Sequence, residues 1–399
     1  MLRQHRARFC PCRARRGCRR DPFCPEVPDV ATQGACPHRS SMNTARQSLA
    51  AIEALSFVRP VRVLNLSGDQ ERVISLSAMR RALPSHVRLL SGPGCAASIC
   101  PAADLYQALK LVGRHAVTLL VAENMLRLPL AGYVDGPHSL LEAKTNGADI
   151  RVISAPIEAV LIADAEPKRE MVLFAAGFET LLAPLAGMVL DGLPGNLSLL
   201  LCGRRVQPLI EQILNDRDPG FDALLLPGNR CAVTGTADWE RLAGEFRVPA
   251  AVAGYTSASI LAAVYSVLQQ YRGGEAHVDN CCQAMVRPEG SAMARDQLFR
   301  VFDLVDGEWR GVGRVAKTAY RLRHAYGVLD AGERYPDYRA ELRSAAEQMP
   351  PGCQCAAVVL GQKEPSDCQQ FFTGCNTAAP YGPCMASEDG TCYVRVSND

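Results

Sequence analysis

The sequence predicts an α/β protein: two parallel-sheet units followed by a small cysteine-rich domain. Three observations predict it. Eight short, mainly apolar runs recur from residue 60 onward. Segments with helix-type spacing separate them. From Met349 the chain changes character and becomes rich in Cys, Pro and Gly. Strands that are apolar throughout, rather than alternating, belong to sheets covered on both faces, and the intervening helices supply that cover.

Residues 1–41 are Arg-rich, Pro-punctuated and without apolar periodicity, so they read as a disordered arm or a mis-called start ahead of Met42. The strand-like runs are 61–66, 86–90, 116–122, 149–155, 170–176, 197–202, 222–226 and 249–254. Helical spacing covers 102–113, 206–214 and 239–246. Residues 257–271 read as one helix, ended by Gly273 and Gly274; the rest of 258–346 looks mainly helical and mixed. Eight strands are many for one small sheet. Two Rossmann-like units are therefore expected: 42–135, completed by 250–345, and 136–249. Residues 346–399 are too few for a core of their own and call for a staple such as a metal cluster.

Composition narrows the function classes. Net charge is +2, but residues 1–41 carry nine Arg, no Lys and three acids, which makes +6 and leaves −4 for the remainder. A nearly neutral body gives no reason to expect nucleic acid or a membrane surface as partner. No run approaches the roughly 18 apolar residues of a membrane span, and the N-terminus has no apolar signal core; a cytoplasmic protein is expected. Seventeen cysteines then stand out. Without an export signal, clustered cysteines point to metal or redox chemistry rather than disulfides. Cys10, Cys12, Cys18 and Cys24 lack the paired knuckle spacing of a zinc site.

The tail cysteines are spaced Cys353-x14-Cys368-x6-Cys375-x16-Cys392, with Cys355 and Cys384 left over. Four thiolates can hold a cubane, one per iron. Structural zinc usually shows close C-x2-C pairs, absent here. An iron–sulfur cluster leads, with zinc and free or disulfide thiols as alternatives. In open parallel sheets, function gathers at the carboxyl ends of strands. There the sequence reads Ser67-Gly68-Asp69-Gln70, then Gly92-Pro93-Gly94-Cys95 with Cys100, then Gly177-Phe178-Glu179-Thr180, then Cys202-Gly203-Arg204, then Pro227-Gly228-Asn229-Arg230-Cys231. A tight turn that presents Cys95 to free backbone N–H groups can lower its thiol pKa, and a buried structural cysteine is the other reading. Glu179 is an acid/base candidate or a carboxylate favouring a helix start.

These motifs resemble, in order, those of the HypD family of hydrogenase maturation factors. GPGC, GFET, Ser139-Leu140-Leu141, Ala143-Lys144, Gly147-Ala148-Asp149, Pro227-Gly228 and Glu308-Trp309-Arg310-Gly311-x-Gly313 all match, and so does the C-x14-C-x6-C-x16-C tail with Phe372, Gly374, Pro383, Cys384, Met385, Ser387, Glu388 and Gly390. The resemblance runs from about residue 60 to 399. It implies two α/β domains plus a cluster domain, and a [4Fe–4S] cluster on Cys353, Cys368, Cys375 and Cys392. It implies a small HypC-type chaperone and a cyanide-delivering HypE-type protein as partners. The implied function is scaffold and electron donor in assembling the Fe(CN)2CO unit of [NiFe] hydrogenase, carried transiently as cargo. The cluster is expected to pass electrons toward a cysteine pair or bound iron, with Cys95, Cys100, Cys202 and Glu179 as the reactive residues.

The departures from the family fall at the chemistry. The family's CGGH loop, whose thiol is thought to hold the iron, reads Ser67-Gly68-Asp69-Gln70; its GPGCPVC reads Gly92-Pro93-Gly94-Cys95-Ala96-Ala97-Ser98. Its Cys-Gln-His reads Cys202-Gly203-Arg204, and its Pro-Gly-His reads Pro227-Gly228-Asn229. A hydroxyl is a poor ligand for low-spin iron and a thiolate a good one. Two readings result: a paralogue whose ligands have shifted to Cys95 with Cys100, Cys202 or Cys231, or a degenerate member that docks partners without chemistry. A zinc-stapled enzyme with Cys95 as nucleophile is a third.

Overall fold

Nine strands form two all-parallel sheets, and a computed structural model describes them through residues 37–114, 117–131, 136–336 and 348–398. Residues 1–36, with the arm's five cysteines, lie outside the described residues. The helix Pro37–Glu53 runs across the boundary expected at residue 41. Residues 41–399 make up one compact unit, which holds both sheets and the tail.

The first sheet has the order β2–β1–β7–β8–β9, from Val87–Ser91, Val61–Asn65, Ala223–Pro227, Ala250–Ala253 and Val278–Asn280. The second has the order β4–β3–β5–β6, from Ile150–Val152, Val117–Val121, Glu170–Gly177 and Leu197–Gly203. The segmentation expected from the sequence put residues 117–121 with the first unit and 223–227 with the second. Backbone pairing runs otherwise: β3 pairs with β4 and β5, and β7 with β1 and β8. Apolar patterning marks a strand but not its neighbour, so the points of exchange, after β2 and after β6, were not readable from it.

Both sheets are covered on two faces, as their continuous apolar runs require. Successive side chains point to opposite faces. Val61, Val63, Val87, Leu89, Ala223 and Leu225 therefore face one core with the helix Ser257–Gly273, while Leu64, Leu66, Leu90, Leu224 and Leu226 face another. That second core is shared with the tail, whose Val359, Met385, Cys355, Cys384 and Cys392 pack into it. The tail thus borrows the first sheet's core instead of building one. A Cβ on Gly361 would lie 2.5 Å from Leu64 Cδ1, which measures how closely the two meet.

The helix expected at 257–271 is present as Ser257–Gly273, with Thr256 Oγ1 accepting from the Ser259 N–H at 3.2 Å and Gly274 ending it at φ 71°. The region expected to be helical and mixed also holds an antiparallel hairpin, β10 Phe302–Trp309 and β11 Gly313–Leu322. Only one face of this ribbon is covered, so its apolar residues alternate with exposed ones and no continuous run marks it. Trp309 is fully buried, and its Nε1–H donates to Thr318 Oγ1 at 2.9 Å.

Candidate metal centre and strand-end cleft

Three chain segments interlock at the carboxyl ends of β1 and β2. The Gly92 N–H donates to Asn65 O at 2.7 Å, and the Gly68 N–H to Gly94 O at 3.2 Å. A Cβ on Gly94 would sit 2.5 Å from both Ser67 Cα and Gly68 N; one on Gly68 would sit 2.8 Å from Asp389 O. The glycines are needed for this approach of backbone to backbone, and the tail closes over both loops. The crevice lined by Ser67, Gly68, Cys95, Ser98 and Asp389 encloses about 10 Å³, room for about one water. Cys95 is buried there, with its Sγ–H donating to Ser387 Oγ at 3.3 Å. Burial, then the charge of Asp389, pushes its thiol up to about 11. Of the two readings of this turn, the buried cysteine is the one found: the site is closed to water and an acid faces it.

The departed positions have taken structural work. Ser67 caps the helix Gly68–Leu76, its Oγ accepting from the Gln70 N–H at 3.3 Å. Gln70 Nε2 donates to Ala253 O at 2.7 Å. Asn229 Oδ1 accepts from the Arg230 N–H at 2.7 Å. Arg204 is buried and donates from Nε to Glu308 O at 2.9 Å.

In the tail, the sulfurs of Cys355, Cys384 and Cys392 lie within 4.8 Å of one another, all buried. Hydrogen bonds from Cys355 and Cys392 hold the Cys384 thiol well below its usual range. A hydrogen bond from Cys355 likewise lowers Cys353. The Tyr381 N–H donates to Cys375 Sγ at 3.3 Å. A Cβ on Gly382 would meet Cys353 Sγ at 2.5 Å and Cys355 Sγ at 2.8 Å, so glycine there admits the two sulfurs. Of the four expected ligands, Cys392 is in the tight trio, Cys353 adjoins it through Cys355, and Cys375 shares the same core; Cys368 is buried outside that core. The two left-over cysteines, 355 and 384, complete the trio. Buried sulfurs bonded by backbone amides suit a thiolate-held metal group.

Cys384 also lies beside Ser98, on the short helix Ala96–Ile99 that starts at Cys95. Cys100 and Cys202 are not drawn to Cys95 but to each other, with Asp104 as third member of a second group within 4.8 Å. Cys231 lies in the core shared with the tail, and burial pushes it up to about 12.

Glu179 begins the helix Glu179–Asp191 and is buried in a separate cleft of about 230 Å³ at the carboxyl ends of β5 to β7. Tyr320 donates to its Oε1 at 3.0 Å, and Arg230 Nε stands 4.0 Å from its Oε2. Arg230 packs its guanidinium 4.2 Å over the Phe178 ring and donates to Leu66 O at 3.2 Å, tying the cleft to the first loop. Arg230 and Tyr320 were not readable as site residues. A single charge in a loop and a tyrosine in an unrecognised hairpin carry no signal of their own.

A protein-family model described as "HypD: Hydrogenase formation hypA family" matches residues 43–398. The chain belongs to the HypD family. Among curated relatives, the hydrogenase maturation factor HypD2 of Bradyrhizobium diazoefficiens is 32% identical over 84% of this chain and 89% of its own length. The hydrogenase maturation factor HypD of Rhizobium leguminosarum is 33% identical over 88% and 91%. The putative hydrogenase expression/formation protein MJ0993 of Methanocaldococcus jannaschii is 31% identical over 84% and 91%. This HypD-family chain thus spans about nine-tenths of the length of each of these relatives. Among the described residues no helix is long and apolar enough to cross a membrane.

Proposed function

We propose that this chain serves [NiFe] hydrogenase maturation as an assembly scaffold with a redox-capable tail, working with a HypC-type chaperone and a HypE-type cyanide-delivering protein. The observation that carries it is the interlock of tail and strand-end loops, which sets Cys384 beside Ser98 and one short helix away from Cys95. Cys353, Cys368, Cys375 and Cys392 would hold a [4Fe–4S] cluster, with Cys355 and Cys384 as the adjoining thiol pair. Such a cluster, when bound, supplies single electrons. Cys384, held low by its neighbours, is the tail thiol best prepared to act as a thiolate. Burial under the tail holds Cys95 as a neutral thiol. Glu179, buried with Tyr320 and Arg230, is a proton-handling or partner-contact residue of the neighbouring cleft.

A second reading is favoured by a specific observation. Ser67 is committed to a helix cap, and only about 10 Å³ is free beside it. An iron carrying three diatomic ligands does not fit there unless the tail moves. On this reading the chain docks maturation partners without holding the iron. Anaerobic copurification with a HypC-type partner separates the two. Cyanide and CO stretches in the infrared spectrum, with iron and acid-labile sulfide in the protein, support the first; partner binding without those stretches supports the second. Stoichiometric zinc without sulfide in the tail removes the cluster from both.

A further inference from the structure

We infer that Cys100, Cys202 and Asp104 form a second metal site, separate from the tail, for a thiophilic divalent ion such as Zn²⁺. Cys100 ends the short helix Ala96–Ile99 after β2; Asp104 lies in the first turn of the helix Ala102–Arg114; Cys202 is the penultimate residue of β6. Their two sulfurs and a carboxylate oxygen lie within 4.8 Å of one another. A tetrahedral ion with Zn–S near 2.3 Å needs donors roughly 3.5–3.8 Å apart, a small contraction of that group. Two thiolates exclude Mg²⁺ and Ca²⁺, which take oxygen ligands. Three protein ligands leave a fourth position open, and Asp104, the least buried of the three with its side chain 27% exposed, marks the side on which it opens.

Charge is balanced in the surroundings. The buried Arg204 guanidinium stands 3.5 Å from the Asp104 carboxylate and is anchored by Glu308 O at 2.9 Å and Gly203 O at 3.0 Å. Asp104 and Arg204 cancel. A dication entering in exchange for the two thiol protons, released to solvent, leaves the group's net charge unchanged, so the buried site gains no unpaired charge. The ion would tie the loop after β2 of the first sheet to the end of β6 of the second, near the point where the chain passes between sheets. The site does not depend on what fills the tail.

The test uses the reduced full-length chain under anaerobic conditions, loaded with Zn²⁺, desalted, and measured for zinc and for acid-labile sulfide separately. The double variant C100S/C202S should lose about one zinc per chain whatever its sulfide content. X-ray absorption at the zinc edge of the sulfide-loaded wild type should show a mixed sulfur and oxygen shell. Asp104→Asn keeps the thiols and should weaken zinc binding about tenfold or more, which preserves the test if the double variant does not fold. Unchanged zinc in C100S/C202S, unchanged affinity in Asp104→Asn, or a Cys100–Cys202 disulfide that persists after thiol reduction overturns the inference.

Discussion

Replacing Gly94 by alanine should destabilise this protein more than its small size change suggests. The new Cβ would stand 2.5 Å from Ser67 Cα and 2.5 Å from Gly68 N. Non-bonded carbons rest near 3.5 Å, so the overlap is about 1 Å, and it falls on backbone that cannot rotate away. Overpacking of this kind costs about 1–3 kcal/mol. Separating the two loops also stretches the Gly68 N–H···O Gly94 bond, 3.2 Å long, for about 0.5–1.5 kcal/mol more. A loss of about 2–4 kcal/mol is expected in urea unfolding. Alkylation of Cys95 should quicken at the same time, since the turn that buries it is displaced. Gly113→Ala serves as the control: its Cβ meets nothing within 4 Å on a helix, so it should be neutral or stabilise by about 0.5–1 kcal/mol. A Gly94→Ala protein with the wild-type midpoint and wild-type Cys95 reactivity would refute the interlock.

Three further outcomes are expected. Ser67→Ala removes a helix cap and should cost about 1 kcal/mol in chemical denaturation, whereas a serine with no structural task would cost nothing. Arg80→Met leaves Glu71, 2% exposed, without the partner it now meets at 2.6 Å, and should cost about 3–5 kcal/mol by thermal unfolding; Glu71→Met together with Arg80→Met should recover most of it. The Cys95 thiol is raised by burial from about 9 to about 11. Because its folded value lies above its unfolded one, its contribution is whole below about pH 9 and is lost as pH rises toward 11, roughly 2–3 kcal/mol in all. Stability measured across that window should fall less steeply in Cys95→Ala, and an identical slope would contradict the burial argument.

Most strands were legible because apolar runs such as Val61 to Leu66 and Leu197 to Cys202 are buried on both faces and leave no polar alternation. The helix after Thr256 was legible from its spacing and its terminal glycines. The hairpin Phe302 to Leu322 was not, since a ribbon covered on one side alternates and resembles a mixed helical stretch. At the site, the individual cysteines, Glu179 and the GPGC turn could be named from the chain. Their grouping could not: Cys100 sits five residues from Cys95 yet meets Cys202, and Arg230 and Tyr320 join Glu179 from 51 and 141 positions away.

The sequence by itself determined the α/β class, the family, and the places where chemistry-bearing residues stand, because burial pattern and turn residues are local properties written at short range. Only the tertiary structure decided which strands share a sheet, that the tail lies on the first sheet's core, and that Ser67 spends its hydroxyl on a helix cap beside a crevice of about 10 Å³. Those outcomes depend on contacts between segments far apart in the chain. No local pattern encodes the distance between two sulfurs 102 residues apart.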